Sequence, residues 1–314
     1  VDSKVRIPEP IVKKDINNSQ EKLWNLKMIQ AYKAQKLSKG KGIVVAVVDT
    51  GIDLDHPDLG SHILWSVDFT GSRTGADDDN GHGTHCAGII GAIRDNNGVV
   101  GMAPNVYFYA IKVLDRNGRG SWDEVMAGIY AAVEGPDGIA GTDDDADIIS
   151  MSLGASSDPG AEFHNAIKFA YSYGVVLVAA AGNEGDGNGA TDEYSYPAAY
   201  PEVIAVGATE KDDTIASFSN SGPFLELAAP GVDIYSTYKD SSYATLSGTS
   251  MACPHVSGLV ALIIMKYGKL SIGTFEDTGT DTIRGILHNG ALDLGESGWD
   301  NVFGYGLILV HSTI

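Results

Sequence analysis

Cysteine is nearly missing from this chain. Only Cys86 and Cys253 occur in 314 residues, which excludes a disulfide scaffold and leaves the compartment unmarked. Basic charge is scarce as well. Lys plus Arg number 21 against 41 Asp plus Glu, so the formal net charge is -20. That sign repels phosphate backbones and anionic membrane surfaces, which argues against nucleic-acid and membrane partners. It suits solubility and bound metal cations. No uninterrupted apolar run is long enough to span a bilayer. No internal repeat or low-complexity linker occurs either, so one domain is expected. The chain opens on Val1 with no signal-peptide pattern, which reads as a processed or excerpted form.

What is present is an ordinary globular composition with 43% hydrophobic residues and 39 Gly. Residues 1–22 are polar and read as an N-terminal arm. Residues 23–314 read as one catalytic domain. Within it, short β-branched runs recur at Ile43–Val48, Tyr109–Leu114, Asp147–Leu153, Val175–Ala181 and Val203–Ala208. Each is bounded by Gly, Asp, Asn or Pro, as strands buried on both faces are. Between them, Trp122–Val133, Gly160–Tyr173 and Met251–Tyr267 carry helical spacing. Alternating strand and helix predicts a three-layer α/β domain with a mainly parallel central sheet and helices on both faces.

Three motifs point to chemistry. Asp49 ends the first buried strand, where ligands gather in open α/β sheets. His82 sits in Asn80-Gly81-His82-Gly83-Thr84-His85 at an expected helix start, and Ser250 in Gly248-Thr249-Ser250-Met251-Ala252 opens the apolar helix. A Ser there lies near backbone N–H groups and the positive end of the dipole, which would stabilise an oxyanion. Each motif has a plainer reading: Asp49 as a turn residue, His82 and His85 as metal ligands or packed imidazoles, Ser250 as an N-cap. The order Asp, His, Ser is one of those known for a catalytic triad.

Together with Ala180-Ala181-Gly182-Asn183-Glu184-Gly185, Ser150-Met151-Ser152-Leu153-Gly154, Ser195-Tyr196-Pro197 and Ala229-Pro230-Gly231, these strings resemble the subtilisin-like serine proteases, or subtilases. The resemblance spans about residues 24 to 306. The insertion at 134–147 and the segment 266–288 look closest to subtilases of hyperthermophilic archaea (Thermococcales). The resemblance implies a subtilisin-like fold and thermostable serine endopeptidase activity. Ser250 would be the nucleophile, His82 the general base and acid, Asp49 its orienting partner, and Asn183 an oxyanion donor beside the Ser250 N–H. Gly118, Arg119, Gly120 and Ser152, Leu153, Gly154 would flank an extended polypeptide. Ala180, Ala181, Gly182 and Ser195 would line the pocket for the residue before the scissile bond. Their small uncharged character implies broad specificity with an apolar or aromatic preference. Arg119 and Trp122 would lie near deeper subsites.

The family's Ca²⁺ loop maps onto Ile93, Asp95, Asn97 and Val99, with Asp58 and Gln20 completing six oxygen-donating positions. Asp137, Asp143, Asp144, Asp145 and Asp147 offer a second acidic loop, read either as Ca²⁺ ligands or as a solvated surface. Cys86 and Cys253 follow His82 and Ser250 by one turn, either bridged or packed as buried small residues. The resemblance further implies secretion of a monomer with its own propeptide as inhibitor and folding aid, an intracellular location being the alternative. A phosphate-binding α/β module and an inactive subtilase scaffold are the rival readings.

Overall fold

The computed structural model describes residues 4–7 and 23–314. In chain order the elements are β1 (Lys4–Arg6), α1 (Trp24–Met28), α2 (Ala31–Ala34), β2 (Val44–Asp49), β3 (Ile63–Asp68), α3 (His82–Gly91), β4 (Tyr107–Lys112), β5 (Arg119–Ser121), α4 (Trp122–Glu134), β6 (Ile148–Met151), α5 (Ala161–Ser172), β7 (Val176–Ala180), β8 (Val203–Thr209), β9 (Leu227–Pro230), β10 (Ile234–Tyr238), β11 (Ser242–Leu246), α6 (Thr249–Tyr267), α7 (Ile283–Gly290) and α8 (Val310–Thr313).

Seven strands form one parallel sheet in the order β3-β4-β2-β6-β7-β8-β9. Strand alternation divides their side chains between two cores. Val45, Val47, Ile148, Val176, Val178, Ile204 and Val206 face the α6 side. Ala46, Val48, Ile149, Met151, Leu177, Ala179 and Ala205 face α4 and α5. Both faces are covered, so the strands read as continuous apolar runs, and each large aliphatic side chain buried this way contributes about 1.5–3 kcal/mol. The three-layer architecture expected from the sequence is the one observed.

β2 is the strand at which the sheet order reverses, with β3 and β4 on one side and β6 onward on the other. Asp49 is its last residue, so the sheet's switch point carries the first site residue. α6 has the length and mean hydropathy, 1.3, of a membrane span. Its residues Thr249–Ile264 are instead buried against the sheet and α3. α4 starts with a capping box in which the Ser121 Oγ accepts from Glu124 N and the Glu124 carboxylate accepts from Ser121 N. Such a cap stabilises by about 1 kcal/mol and fixes the β5–α4 junction.

Two small antiparallel pairs lie outside the main sheet. β10 and β11 form a hairpin over α3. β1 pairs with β5, so the described part of the arm is a strand laid on residues 119–121.

Candidate active site

Asp49 and His82 meet because their backbones do. A Cβ on Gly83 would stand 2.1 Å from Gly51 O and 3.1 Å from the Asp49 Cβ, so only glycine lets α3 dock this closely on the end of β2. The His82 Nδ1 then lies 2.8 Å from Asp49 Oδ1, with both residues only 1% exposed. The same Asp49 oxygen accepts from Thr50 N at 2.7 Å. A buried carboxylate on Nδ1 fixes the tautomer that leaves Nε2 able to take a proton. His82 Nε2 is buried and has no partner.

Ser250 is the second residue of α6, at the positive end of a 19-residue helix. Its Oγ donates to Ser152 O at 3.2 Å. The bond from Ser250 Oγ to His82 is therefore the one link of the relay not made in this state. Loose geometry at that link is ordinary without substrate and tightens in the complex. Helix hydrogen bonding would normally take the Ser250 carbonyl through the N–H four residues on, but that residue is Pro254. The freed carbonyl accepts instead from Ser152 Oγ at 2.8 Å and Cys86 Sγ at 3.4 Å. The nucleophile is thus braced from β6 and α3.

Asn183 is oriented by its neighbour. Its Oδ1 accepts from Thr249 N at 2.8 Å and Thr249 Oγ1 at 3.0 Å. With the amide oxygen tied back, the Nδ2 hydrogens are left to donate elsewhere, beside Ser250 in a cleft of about 360 Å³. Ile7, Leu153, Gly154, Ala155, Ala180, Gly182, Glu184, Ser195, Thr249 and Ser250 share that cleft.

The structure corrects two points of the sequence reading. Ala181 does not line the cleft: it is fully buried with its N–H bonded to Val206 O, while Ala180 and Gly182 on either side of it reach the cleft. The cleft also holds an acid, Glu184, whose Oε2 accepts from Asn183 N at 3.0 Å and Asn220 Nδ2 at 3.2 Å. Ser152 lies just beneath as the brace already described. Gly118, Arg119 and Gly120 stand at the β5 edge, where β1 pairs.

Both thiols are buried and free. Burial raises each pKa, that of Cys253 to about 11. They pack as small apolar groups beside the site, the unbridged alternative.

At the first expected Ca²⁺ loop, Asp58 Oδ2 accepts from Val99 N at 2.9 Å and Asp58 O from Ile93 N at 3.0 Å. Gly98, at φ +52°, closes over it: a Cβ there would lie 2.2 Å from Asp58 Oδ2. Burial pushes the Asp58 carboxyl up. The Val99 N–H and the Tyr243 hydroxyl both donate to Asp58 Oδ2, so the carboxylate is a hard oxygen group already hydrogen-bonded into the 93–99 loop. Gln20 lies outside the described residues. The second loop is differently arranged. Asp144 accepts from Asp137 N and Thr142 Oγ1, and Asp145 from Gly141 N and Thr142 N. Asp147 points to Val44 N and pairs with Lys269. Asp143 completes the turn.

A model of the Subtilase family matches residues 40–306. An intracellular serine protease of Paenibacillus polymyxa is 46% identical over 261 residues, 82% of this chain and 77% of that protein. Subtilisin DY of Bacillus licheniformis is 41% identical over 290 residues, 92% of this chain and 97% of that protein. Thermitase of Thermoactinomyces vulgaris is 44% identical over 237 residues, 75% of this chain and 79% of that protein.

Proposed function

The chain belongs to the subtilase family and is a serine endopeptidase, and from that premise we propose that Asp49, His82, Ser250 and Asn183 carry its chemistry. Ser250 Oγ attacks the scissile carbonyl while His82 Nε2 takes its proton. Asp49 holds Nδ1–H and stabilises the imidazolium. The oxyanion meets Asn183 Nδ2 and the Ser250 N–H at the mouth of α6. His82 returns the proton to the leaving amine, and water then resolves the acyl-enzyme by the same relay. The observation that supports this assignment is the buried 2.8 Å Asp49–His82 contact one helix away from a braced Ser250. Ser250→Ala should retain the native far-UV spectrum and melting behaviour, lose peptide hydrolysis and refuse a fluorophosphonate label. Near-normal turnover by that variant would sink the assignment, and failure of the unaltered chain to take the label would revive the inactive-scaffold reading.

For substrate, we propose broad specificity with an apolar or aromatic side chain before the scissile bond, supported by Leu153, Ala155 and Ala180 around the cleft. The Glu184 carboxylate at the same cleft adds tolerance for a basic end group. The peptide would add as a strand to β5. The arm supports this reading from an unexpected side. Its own strand β1 takes that edge, Ile7 N donates to Gly118 O at 3.2 Å, and Ile7 enters the cleft beside Ser250. The chain's own N-terminal segment therefore acts as a competitive occupant of its substrate groove, the inhibitory part expected of a propeptide.

Ca²⁺ would be held by Asp58 and the 93–99 backbone, where it neutralises a buried carboxylate and fixes the loop after α3. The acidic loop at 134–147 is proposed as a second, weaker site. Exhaustive chelation should lower the melting temperature, and Asp58→Asn should abolish most of that response. An unchanged melting temperature would reduce both loops to surface charge. We propose secretion on the strength of that Ca²⁺ dependence. Relatives with intracellular and extracellular names both occur, and saturation of the site only at millimolar Ca²⁺ is the result that favours the outside of the cell.

A further inference from the structure

β1 places Val5 opposite Gly120 and position 6 opposite Arg119. Val5 is fully buried in the core that includes Val113, Leu114 and Val125. A strand held in this register therefore has an apolar anchor at one position and, at the next, a residue directly across from Arg119. Directly opposed residues of an antiparallel pair interact: opposite charges stabilise and like charges destabilise.

The charge around that position is unusual for this chain. It has six Arg in 314 residues and a net charge of -20. Arg284 is buried on Glu226, and Arg94 is taken up by Gln35 and the Tyr32 ring. The other three described Arg are exposed and lie on one rim. Arg116 and Arg119 flank the turn into β5, and Arg73 shares a surface cavity with Arg116. The acids nearby are committed elsewhere. Asp115 Oδ1 accepts from Asn117 N and Arg119 N, and Glu124 closes the capping box on Ser121. Among the described residues no carboxylate pairs with the Arg119 guanidinium.

We propose that Arg119 makes this protease prefer substrates with an acidic residue at the strand position opposite it, one place after the apolar anchor. The proposal rests on the reading that substrate takes the register of β1 on β5. In that register the main-chain pairing and Val5 are what hold the self strand in place.

The test uses the full chain and internally quenched peptides with Glu, Ala or Arg at each of the four positions before the cut, the cut being located by mass spectrometry. At one position only, the one after the apolar anchor, Glu should exceed Arg in kcat/KM by about 2- to 30-fold. The ratio should fall towards one in high salt, since the pair is exposed. Arg119→Glu should invert the order whatever its absolute rate, a result that a merely structural Arg119 would not produce. Equal use of Glu and Arg everywhere, or an order unmoved by Arg119→Glu, overturns the proposal. Synthetic peptides of residues 1–12, with Arg or Glu at position 6, separate it from its premise. Competitive inhibition that is stronger for the Glu peptide supports it, and equal inhibition by both overturns the charge effect alone. No inhibition by either removes the shared register, and the proposal with it.

Discussion

Asp78 is buried and accepts five hydrogen bonds, from Thr50 Oγ1, Asn80 N, Gly81 N, Thr84 N and Thr84 Oγ1. Burial pushes its carboxyl up, and these donors act against that. Thr50 follows Asp49 directly, and Gly81 precedes His82. One carboxylate therefore ties the two halves of the Asp49–His82 pair to each other without touching substrate. Asp78→Asn offers an NH₂ where one carboxylate oxygen accepted, so the donors at that end lose their acceptor. The expected outcome is a fall of about tenfold or more in kcat with KM little changed, measured on one peptide substrate. A fall confined to KM would show that Asp78 does not position the relay. Asp49, His82, Ser250 and Asn183 were legible in the sequence because each sits in a distinctive string. Asp78 and Thr249 were not, because they work through backbone N–H groups and a neighbour's amide, which leave no spacing to read.

At the scale of elements, β2, β4, β6, β7 and β8 were legible to within about two residues, since a strand buried on both faces must be apolar throughout. The edge strands β3, which is only partly buried, and β9 were not, nor were β1, β5, β10 and β11 outside the sheet. Three to five residues with Gly or polar members carry no period, and their pairing is decided by where they dock. Pro254 belongs to this scale as well. It lies inside α6 and costs the helix a bond, yet that loss is what frees the Ser250 carbonyl for Ser152 and Cys86. Pro254→Ala supplies an N–H four residues after Ser250, which competes with the Ser152 hydroxyl. The helix should gain stability while the nucleophile loses its cross-brace. A rise in melting temperature with a fall of about 2- to 10-fold in kcat is expected, the size of one ordinary hydrogen bond. An unchanged kcat would mean that the brace does not matter to the reaction.

At the scale of the molecule, the acid excess first served only to exclude partners, and the structure divides it. Part surrounds the 93–99 loop, part is tied up in the 137–147 turn, and the catalytic acid is a single carboxylate at the end of an apolar strand. The pH response of the fold is set instead by two buried imidazoles. His85 Nε2 faces Ile234 O and Ala244 O, and His255 lies between Met251 O and Asn25 Nδ2. Desolvation holds their pKa values down, to about 3 and about 4 against 6.5 for the free group. As pH falls below 6.5, the unfolded chain takes up these protons first, so the native state loses stability progressively towards pH 4 and below. Asp58 and Asp78 pull the other way, because burial raises them and the native state protonates them first. Hydrogen bonds from Val99, Tyr243, Thr84 and Gly81 counter that burial in part, while the two imidazoles act all the way from 6.5 down to about 4 and about 3. At about 1.4 kcal/mol for each tenfold difference in proton affinity between the folded and unfolded chain, the two together remove on the order of 5 kcal/mol by about pH 4. That is comparable with the whole stability of many domains. Urea unfolding of the Ser250→Ala chain, which cannot digest itself, should show a constant midpoint near neutrality and a steep decline below pH 6.5. A neutral replacement, His255→Gln, should lower stability at pH 7 but flatten the acid limb, because its side chain takes up no proton. A midpoint that stays level down to about pH 4 would mean that these imidazoles accept protons in the folded state without cost, and that the core around α3 and α6 is open to water.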